Sequence, residues 1–155
     1  MKKFMITILG VLFFGVSLFG SGILTPEPSV AQASGVKAIT LGDAKKMHDE
    51  GVVFVDVRGK VSYKKQRITG AKHTQYKGKG GNKNKIPEFD NSKDKFKTKT
   101  LPSDKNAKVV VYCTSKKCWL SYKAAYVMSN QLGYTNVFWM RDGIMAWEKA
   151  GYPVE

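Results

Sequence analysis

Two stretches constrain this chain more than any others: VVFVDV at residues 52–57 and KVVVYC at residues 108–113. Each is a continuous run of β-branched and apolar residues, with no alternation of polar and apolar positions. A strand with one wet face alternates, whereas a strand covered on both faces does not. Both runs are therefore expected as strands buried between two layers. Residues 36–40 (VKAIT) and 136–140 (NVFWM) read as further strands, and residues 70–75 (GAKHTQ) as a short one. Residues 41–51 (LGDAKKMHDEG), 119–133 (WLSYKAAYVMSNQLG) and 143–151 (GIMAWEKAG) read as helices, with Gly51 and Gly133 as stops. In the second helix Leu120, Ala124, Val127, Met128 and Leu132 fall on one face. Strand and helix alternate, so the expected class is α/β: a single domain with a mainly parallel sheet flanked by helices. No internal repeat is visible.

The 155-residue length suits one domain with a real core. The first 24 residues carry two lysines and then no charge, and an Ala31-Gln32-Ala33 site follows. A basic start, an apolar run and a small-residue site together predict a secretory signal peptide over residues 1–33, with residues 34–155 as the mature domain. The competing reading is an uncleaved membrane anchor, since the apolar run is nearly long enough to span a bilayer. No cysteine lies near its end, so a lipid anchor has no support. Export to the periplasm or another extracytoplasmic site is the expectation, with membrane contact only if the leader stays attached.

Of the 26 basic and 12 acidic residues, Lys2, Lys3 and Glu27 fall in the first 33, leaving 24 and 11, a net of +13. The excess is concentrated in residues 76–108, a Gly-, Lys- and Asn-rich stretch containing Pro87 and Pro102. Residues 76–107 are expected to be a basic, irregular insertion with one helical turn at most. Its aromatics, Tyr76, Phe89 and Phe96, are too scattered for a single-strand nucleic-acid binder, and an exported protein rarely meets nucleic acid. The simplest reading of its lysines is a solvated surface.

Cys113 and Cys118 are the only cysteines. An exported pair usually forms a structural disulfide, but closing only the four residues between them would restrict the unfolded chain little. That shifts weight from scaffold to chemistry. Cys113 is expected as the last residue of the central strand, its loop leading into a helix N-terminus. Active groups of open α/β sheets collect outside the carboxyl ends of strands. Loop and helix N–H groups there favour a thiolate, as do the nearby cations Lys116 and Lys117. Such settings lower a thiol pKa from about 8.5 into roughly the 3.5–7.5 range.

Rival chemistries fare worse. A C-x5-R phosphate loop would need arginine where Trp119 stands. The two histidines, His48 and His73, are not at ligand spacing, so no metal or organic cofactor is implied. Trp119, Trp139 and Trp147 are expected as core aromatics, and Ser121 as an ordinary helix-start serine.

The segments VDVR (55–58), ITGAKH (68–73), VVVYC (109–113) and AAYVMSNQLGYTNVFWMRDGIMAWEKAGYPV (124–154) stand in an order and spacing that resembles the rhodanese-like sulfurtransferases, over nearly all of residues 36–155. The loop YC-x4-CW-x-S looks like that of an exported subgroup with a second cysteine. The resemblance implies a persulfide-forming nucleophile at Cys113, with Thr114, Ser115, Lys116, Lys117 and Cys118 forming the substrate-binding loop. It also puts Arg58 among the substrate-binding residues, as the arginine that braces the loop region through a carboxylate. The usual partner position, before Tyr63, holds Ser62, and the usual loop arginine is replaced by Cys118, leaving Lys116 or Lys117 to supply charge.

The expected function is sulfur transfer from a small anionic donor, through a Cys113 persulfide, to a thiol or cyanide-like acceptor, by a monomer. Two alternatives remain. One is a thiol–disulfide redox protein in which Cys118 is the partner of Cys113 and a reductant protein is the partner of both. The other is a non-catalytic binding module on the same scaffold.

Overall fold

A computed structural model describes residues 25–78 and 91–155. In chain order the elements are α1 (Pro28–Ala33), β1 (Lys37–Ile39), α2 (Leu41–Asp49), β2 (Val53–Asp56), α3 (Lys60–Lys65), β3 (Lys72–His73), β4 (Tyr76–Lys77), β5 (Lys95–Phe96), β6 (Val109–Tyr112), α4 (Trp119–Asn130), β7 (Val137–Met140) and α5 (Gly143–Lys149). Five strands form one all-parallel sheet in the order β1-β7-β6-β2-β3, and β4 and β5 pair antiparallel as a separate ribbon. The α/β expectation holds.

The central strand β6 explains the layering. Val109, Val111 and Cys113 point into one apolar cluster with α1 and α4. Val110 and Tyr112 point into the other, with Ala44 of α2 and Ile144 and Trp147 of α5. All four residues of β6 are buried, as a run without alternation requires. Neighbouring strands repeat the division: Val55 and Trp139 face the first cluster, Phe54 and Met140 the second. Trp119, Trp139 and Trp147 are all buried core residues, as expected.

Local signals set the helix ends. Thr40 caps α2 by accepting from the Asp43 N–H, while the Asp43 carboxylate accepts from the Thr40 N–H, a reciprocal pair. Gly51 then reverses the chain at φ +77°.

Several features depart from the sequence expectation. Tyr112, not Cys113, ends β6, so Cys113 is the first residue of the loop. Helix α3 has no apolar stripe to announce it: KVSYKK is wholly without buried residues. Helix α4 was expected to bury one face. It also buries Trp119, Ser121, Tyr122, Lys123 and Ala125, because β6 and β7 lie on one side of it and β4 on another.

The basic insertion is not irregular throughout. Its described ends form the β4–β5 ribbon, and Leu101 is buried in the core. Asp94 leads into β5 and its carboxylate accepts from Lys123 Nζ at 2.9 Å and from the Tyr76 hydroxyl at 2.8 Å. Only 4% of the Lys123 side chain and 3% of the Asp94 side chain are exposed. Residues 79–90 lie outside the described residues, as does the apolar stretch up to residue 24. Residues 25–33, the end of the expected leader, form part of the fold: α1 packs against β1 and Ala31 is fully buried. Among the described residues no helix is long and apolar enough to cross a membrane.

A buried ion pair is costly to break, because the remaining charge keeps its desolvation penalty. Asp94→Ala is expected to lower the unfolding free energy by about 3 kcal/mol, measured by urea denaturation of the full chain. Removing Asp49, paired with Lys45 on the exposed face of α2, is expected to change it little.

Candidate active site

Cys113 follows β6 at the carboxyl end of the sheet and Cys118 is the N-cap of α4. The five-residue step between them is closed by a disulfide, with Cα atoms 6.2 Å apart. The bridge that the sequence left open between scaffold and chemistry therefore exists in this state. Cys113 is 1% exposed and Cys118 is half-buried, while Thr114, Lys116 and Lys117 are exposed.

The loop is held by its carbonyls. The Cys113 carbonyl accepts from the Ile144 N–H at 2.9 Å and the Thr114 carbonyl from the Met145 N–H at 3.1 Å. The Lys116 carbonyl accepts both the Thr25 N–H at 3.0 Å and the Thr25 hydroxyl at 2.6 Å. Every one of these donors lies outside the loop. In a trans peptide the C=O and the next N–H point to opposite sides. Outward carbonyls at Cys113, Thr114 and Lys116 thus turn the amides of Thr114, Ser115 and Lys117 toward the other side. In the bridged state two loop amides are already satisfied within it: the Cys118 N–H donates to the Ser115 carbonyl at 2.8 Å, and the Lys117 N–H to Ser115 Oγ at 3.4 Å. The cradle expected from residues 114–118 is present in outline, closed on itself by the disulfide.

Helix α5 reaches the loop only because Gly143 has no side chain. A Cβ there would sit 2.5 Å from the Thr114 carbonyl carbon and 2.6 Å from the Ser115 nitrogen, and Gly143 has φ +70°. No other residue type fits that approach. Nothing in the sequence reading singled out Gly143, although its place just after Arg141-Asp142 at a strand-to-helix junction was a usable signal. Thr25 was missed for a different reason, having been assigned to the leader.

Arg58 is held by partners outside the loop. Its guanidinium donates from Nε and Nη2 to the Asp56 carboxylate and from Nη2 to the Gln66 carbonyl. Asp56, fully buried, is thus the carboxylate that Ser62 could not supply. The guanidinium carbon lies 6.0 Å from the centre of the Tyr112 ring, so Arg58 reaches the loop through the residue preceding Cys113. Burial above all, with the Asp56 charge, pushes the Tyr112 phenol up, and its hydroxyl accepts from the Ile68 N–H. His73 bonds the Arg58 carbonyl and stacks on Tyr63, and His48 bonds the Thr69 carbonyl and packs against Phe54 and Trp147. Ser121 accepts from the Trp139 indole N–H at 3.0 Å and donates weakly to the Cys118 carbonyl.

The sequence profile of the rhodanese-like domain matches residues 40–150. The chain belongs to the rhodanese-like domain family. Solved structures agree on the fold. A Bacillus halodurans protein is 24% identical with a TM-score of 0.54, covering 80% of each chain. A rhodanese-like domain from an Anabaena species is 17% identical with a TM-score of 0.52, over 84% of this chain and 80% of its own. A thiosulfate sulfurtransferase from Pseudomonas aeruginosa is 17% identical with a TM-score of 0.57; the match covers 83% of this chain but 23% of that one. No curated protein matches the chain. In this rhodanese-like domain Cys113 follows β6 directly and Arg58 lies two residues after β2, while the arginine's partner and the helix contact on the loop are features of the folded protein.

Gly143 gives the geometry a direct test. Gly143→Ala combines a left-handed backbone with a backbone clash and is expected to cost about 3 kcal/mol, together with faster Cys113 alkylation in the reduced protein as the loop loosens. Gly133→Ala, also left-handed at φ +75° but with open space around the added methyl, is expected to cost about 1 kcal/mol and leave alkylation alone. Thermal denaturation and iodoacetamide kinetics measure the two effects.

Proposed function

We propose that this rhodanese-like domain is an exported sulfurtransferase whose nucleophile is Cys113 and whose activity is gated by the bridge to Cys118. The observation that carries the reading is the outward fixing of the Cys113, Thr114 and Lys116 carbonyls where the chain leaves β6. It turns the amides of Thr114, Ser115 and Lys117 to the other side, where with the α4 N-terminus they can meet an anion.

In the reduced protein the Cys113 thiolate attacks the outer sulfur of a small anionic donor. A Cys113 S–S bond forms, the donor's S–S bond breaks, and the anionic leaving group departs with the electron pair. An acceptor thiolate or a cyanide-like nucleophile then attacks the outer sulfur, takes it, and returns Cys113 as thiolate. Lys116 and Lys117, exposed beside the loop, draw the donor in. When no acceptor arrives, the Cys118 thiolate attacks Cys113 Sγ of the protonated persulfide. The protein disulfide forms and hydrosulfide leaves; over loading and release together each thiol sulfur loses one electron and the transferred sulfur gains two. A dithiol reductant reopens the bridge by ordinary exchange. Partner nucleic acid has no place in this scheme, and a monomer suffices.

The bridge also favours a second reading, a thiol–disulfide protein with no sulfur cargo. Mass spectrometry separates the two. After reduction and exposure to a sulfane donor, wild type and Cys118→Ser are expected to gain the mass of one sulfur atom, and Cys113→Ser nothing. A dithiol that cycles with a reductant yet never gains that mass would sink the transferase.

The lysines make a kinetic prediction. Replacing both Lys116 and Lys117 by Ala is expected to raise KM for an anionic donor about threefold to tenfold with a smaller change in kcat. Charge reversal at Lys95 and Lys97 should act mainly through salt dependence, since exposed charges beyond about 10 Å are screened at 0.1 M salt. Steady-state kinetics at two ionic strengths checks both.

A further inference from the structure

Residues 25–33 end the stretch that the sequence assigns to a removable leader, yet they are built into the domain at the catalytic loop. Thr25 is 2% exposed and Ala31 fully buried. Thr25 gives its N–H and its hydroxyl to one acceptor, the Lys116 carbonyl. Thr25 is itself held by Arg141, which directly follows β7: Nη2 donates to the Thr25 carbonyl at 3.0 Å and Nε to Thr25 Oγ1 at 3.3 Å. The same guanidinium pairs with the Glu27 carboxylate at 2.7 and 3.1 Å. Further along, the Ser34 hydroxyl meets the Tyr122 hydroxyl at 2.8 Å on α4, and Asn130 Nδ2 donates to the Ser34 carbonyl. The strap is therefore tied at one end to the strand beside β6 and at the other to the helix that begins at Cys118.

We propose that Thr25–Ala33 is retained in the working protein, and that Thr25 is a positioning residue which, by holding the Lys116 carbonyl outward, aims the Lys117 amide at the Cys113 sulfur once the disulfide is reduced. The argument is the peptide plane. Lys116 C=O and Lys117 N–H belong to one trans unit and point oppositely, so fixing the first fixes the second. The Lys117 N–H has only a long contact, 3.4 Å, to Ser115 Oγ in the bridged state. A better acceptor, a sulfur anion at residue 113, competes for it easily. Cleavage after Ala33 would remove both donors to the Lys116 carbonyl, leave the Arg141 guanidinium without its carboxylate, and empty the Ala31 site in the core. A leader peptide, if released, is released before Thr25. The assignment of the cradle to sulfur chemistry rests on the function proposed above; the strap and the thiol it tunes do not.

The test therefore uses readouts that need no sulfur donor. Intact mass of the full-length gene product, recovered from a leader-processing bacterial host, is expected to give a chain beginning at or before Thr25. In a Cys118→Ser background, so that one thiol reports, the pH dependence of iodoacetamide alkylation gives the Cys113 pKa. Thr25→Val is expected to raise it and to slow alkylation at pH 7 about threefold to tenfold, while Thr25→Ser, which keeps the hydroxyl, tracks the parent. If Thr25→Val does not fold, Arg141→Lys, which keeps a charge beside Glu27 but loses the fork on Thr25, is expected to give the same shift. A profile superimposable on the parent, or a mature chain beginning at Ser34, overturns the proposal. Failure of sulfur loading with an intact Thr25 effect would instead count against the transferase alone.

Discussion

Thr114 and Gly143 meet backbone to backbone, with no space for a Cβ between them. From that approach the amides of Ile144 and Met145 reach the Cys113 and Thr114 carbonyls, so the turn after β6 takes its direction from the helix after β7. Two units of a parallel sheet are locked together where Cys113 sits. The loop is consequently tied to the scaffold through its carbonyls rather than a free surface excursion, and those ties turn the Thr114 and Ser115 amides to the opposite side.

The scaffold behind it is dry on both sides. β6 buries all its residues, and α4 is enclosed by the sheet, by α1 and by the β4–β5 ribbon. The enclosure explains how a lysine comes to be buried in α4. Lys123 is tolerable there because Asp94 and Tyr76 form a polar cluster around one carboxylate, and burial, chiefly, with that carboxylate pushes the Tyr76 phenol up so that it stays a neutral donor. The basic insertion thus contributes a structural acid to α4, whatever its exposed lysines do in solution.

The disulfide draws the loop in on itself. In the bridged state the Cys118 and Lys117 amides turn in on Ser115, and Cys113 is almost sealed. Under the proposed function, reduction would free both the nucleophile and the donors beside it. A loop of four intervening residues adds little by restricting the unfolded chain, which fits a bridge kept for reactivity better than one kept for stability.

The strands and long helices were legible in the sequence because each writes a pattern of its own: unbroken β-branched runs at residues 52–57 and 108–113, apolar spacing in 119–133, glycine stops at 51 and 133. Cys113 at a strand end and Cys118 at a helix start were legible for the same reason, and the family resemblance supplied their chemistry. Helix α3 was not, since it is polar on every side, and neither was the β4–β5 ribbon, whose two-residue strands are too short to show a period and pair across a long gap in sequence. The sequence by itself determined the layers, the parallel sheet and the place of the two cysteines, because burial on two faces and strand-to-helix order are local properties. Only the tertiary structure decided that Asp56 rather than a residue near Tyr63 holds Arg58, that Gly143 touches the loop, and that Thr25 grips Lys116. The last two join residues far apart in the chain, 91 positions for Thr25 and Lys116, and depend on where the fold delivers each backbone; Asp56 and Arg58 are only two positions apart, and there the burial that the fold imposes on both side chains makes the pair.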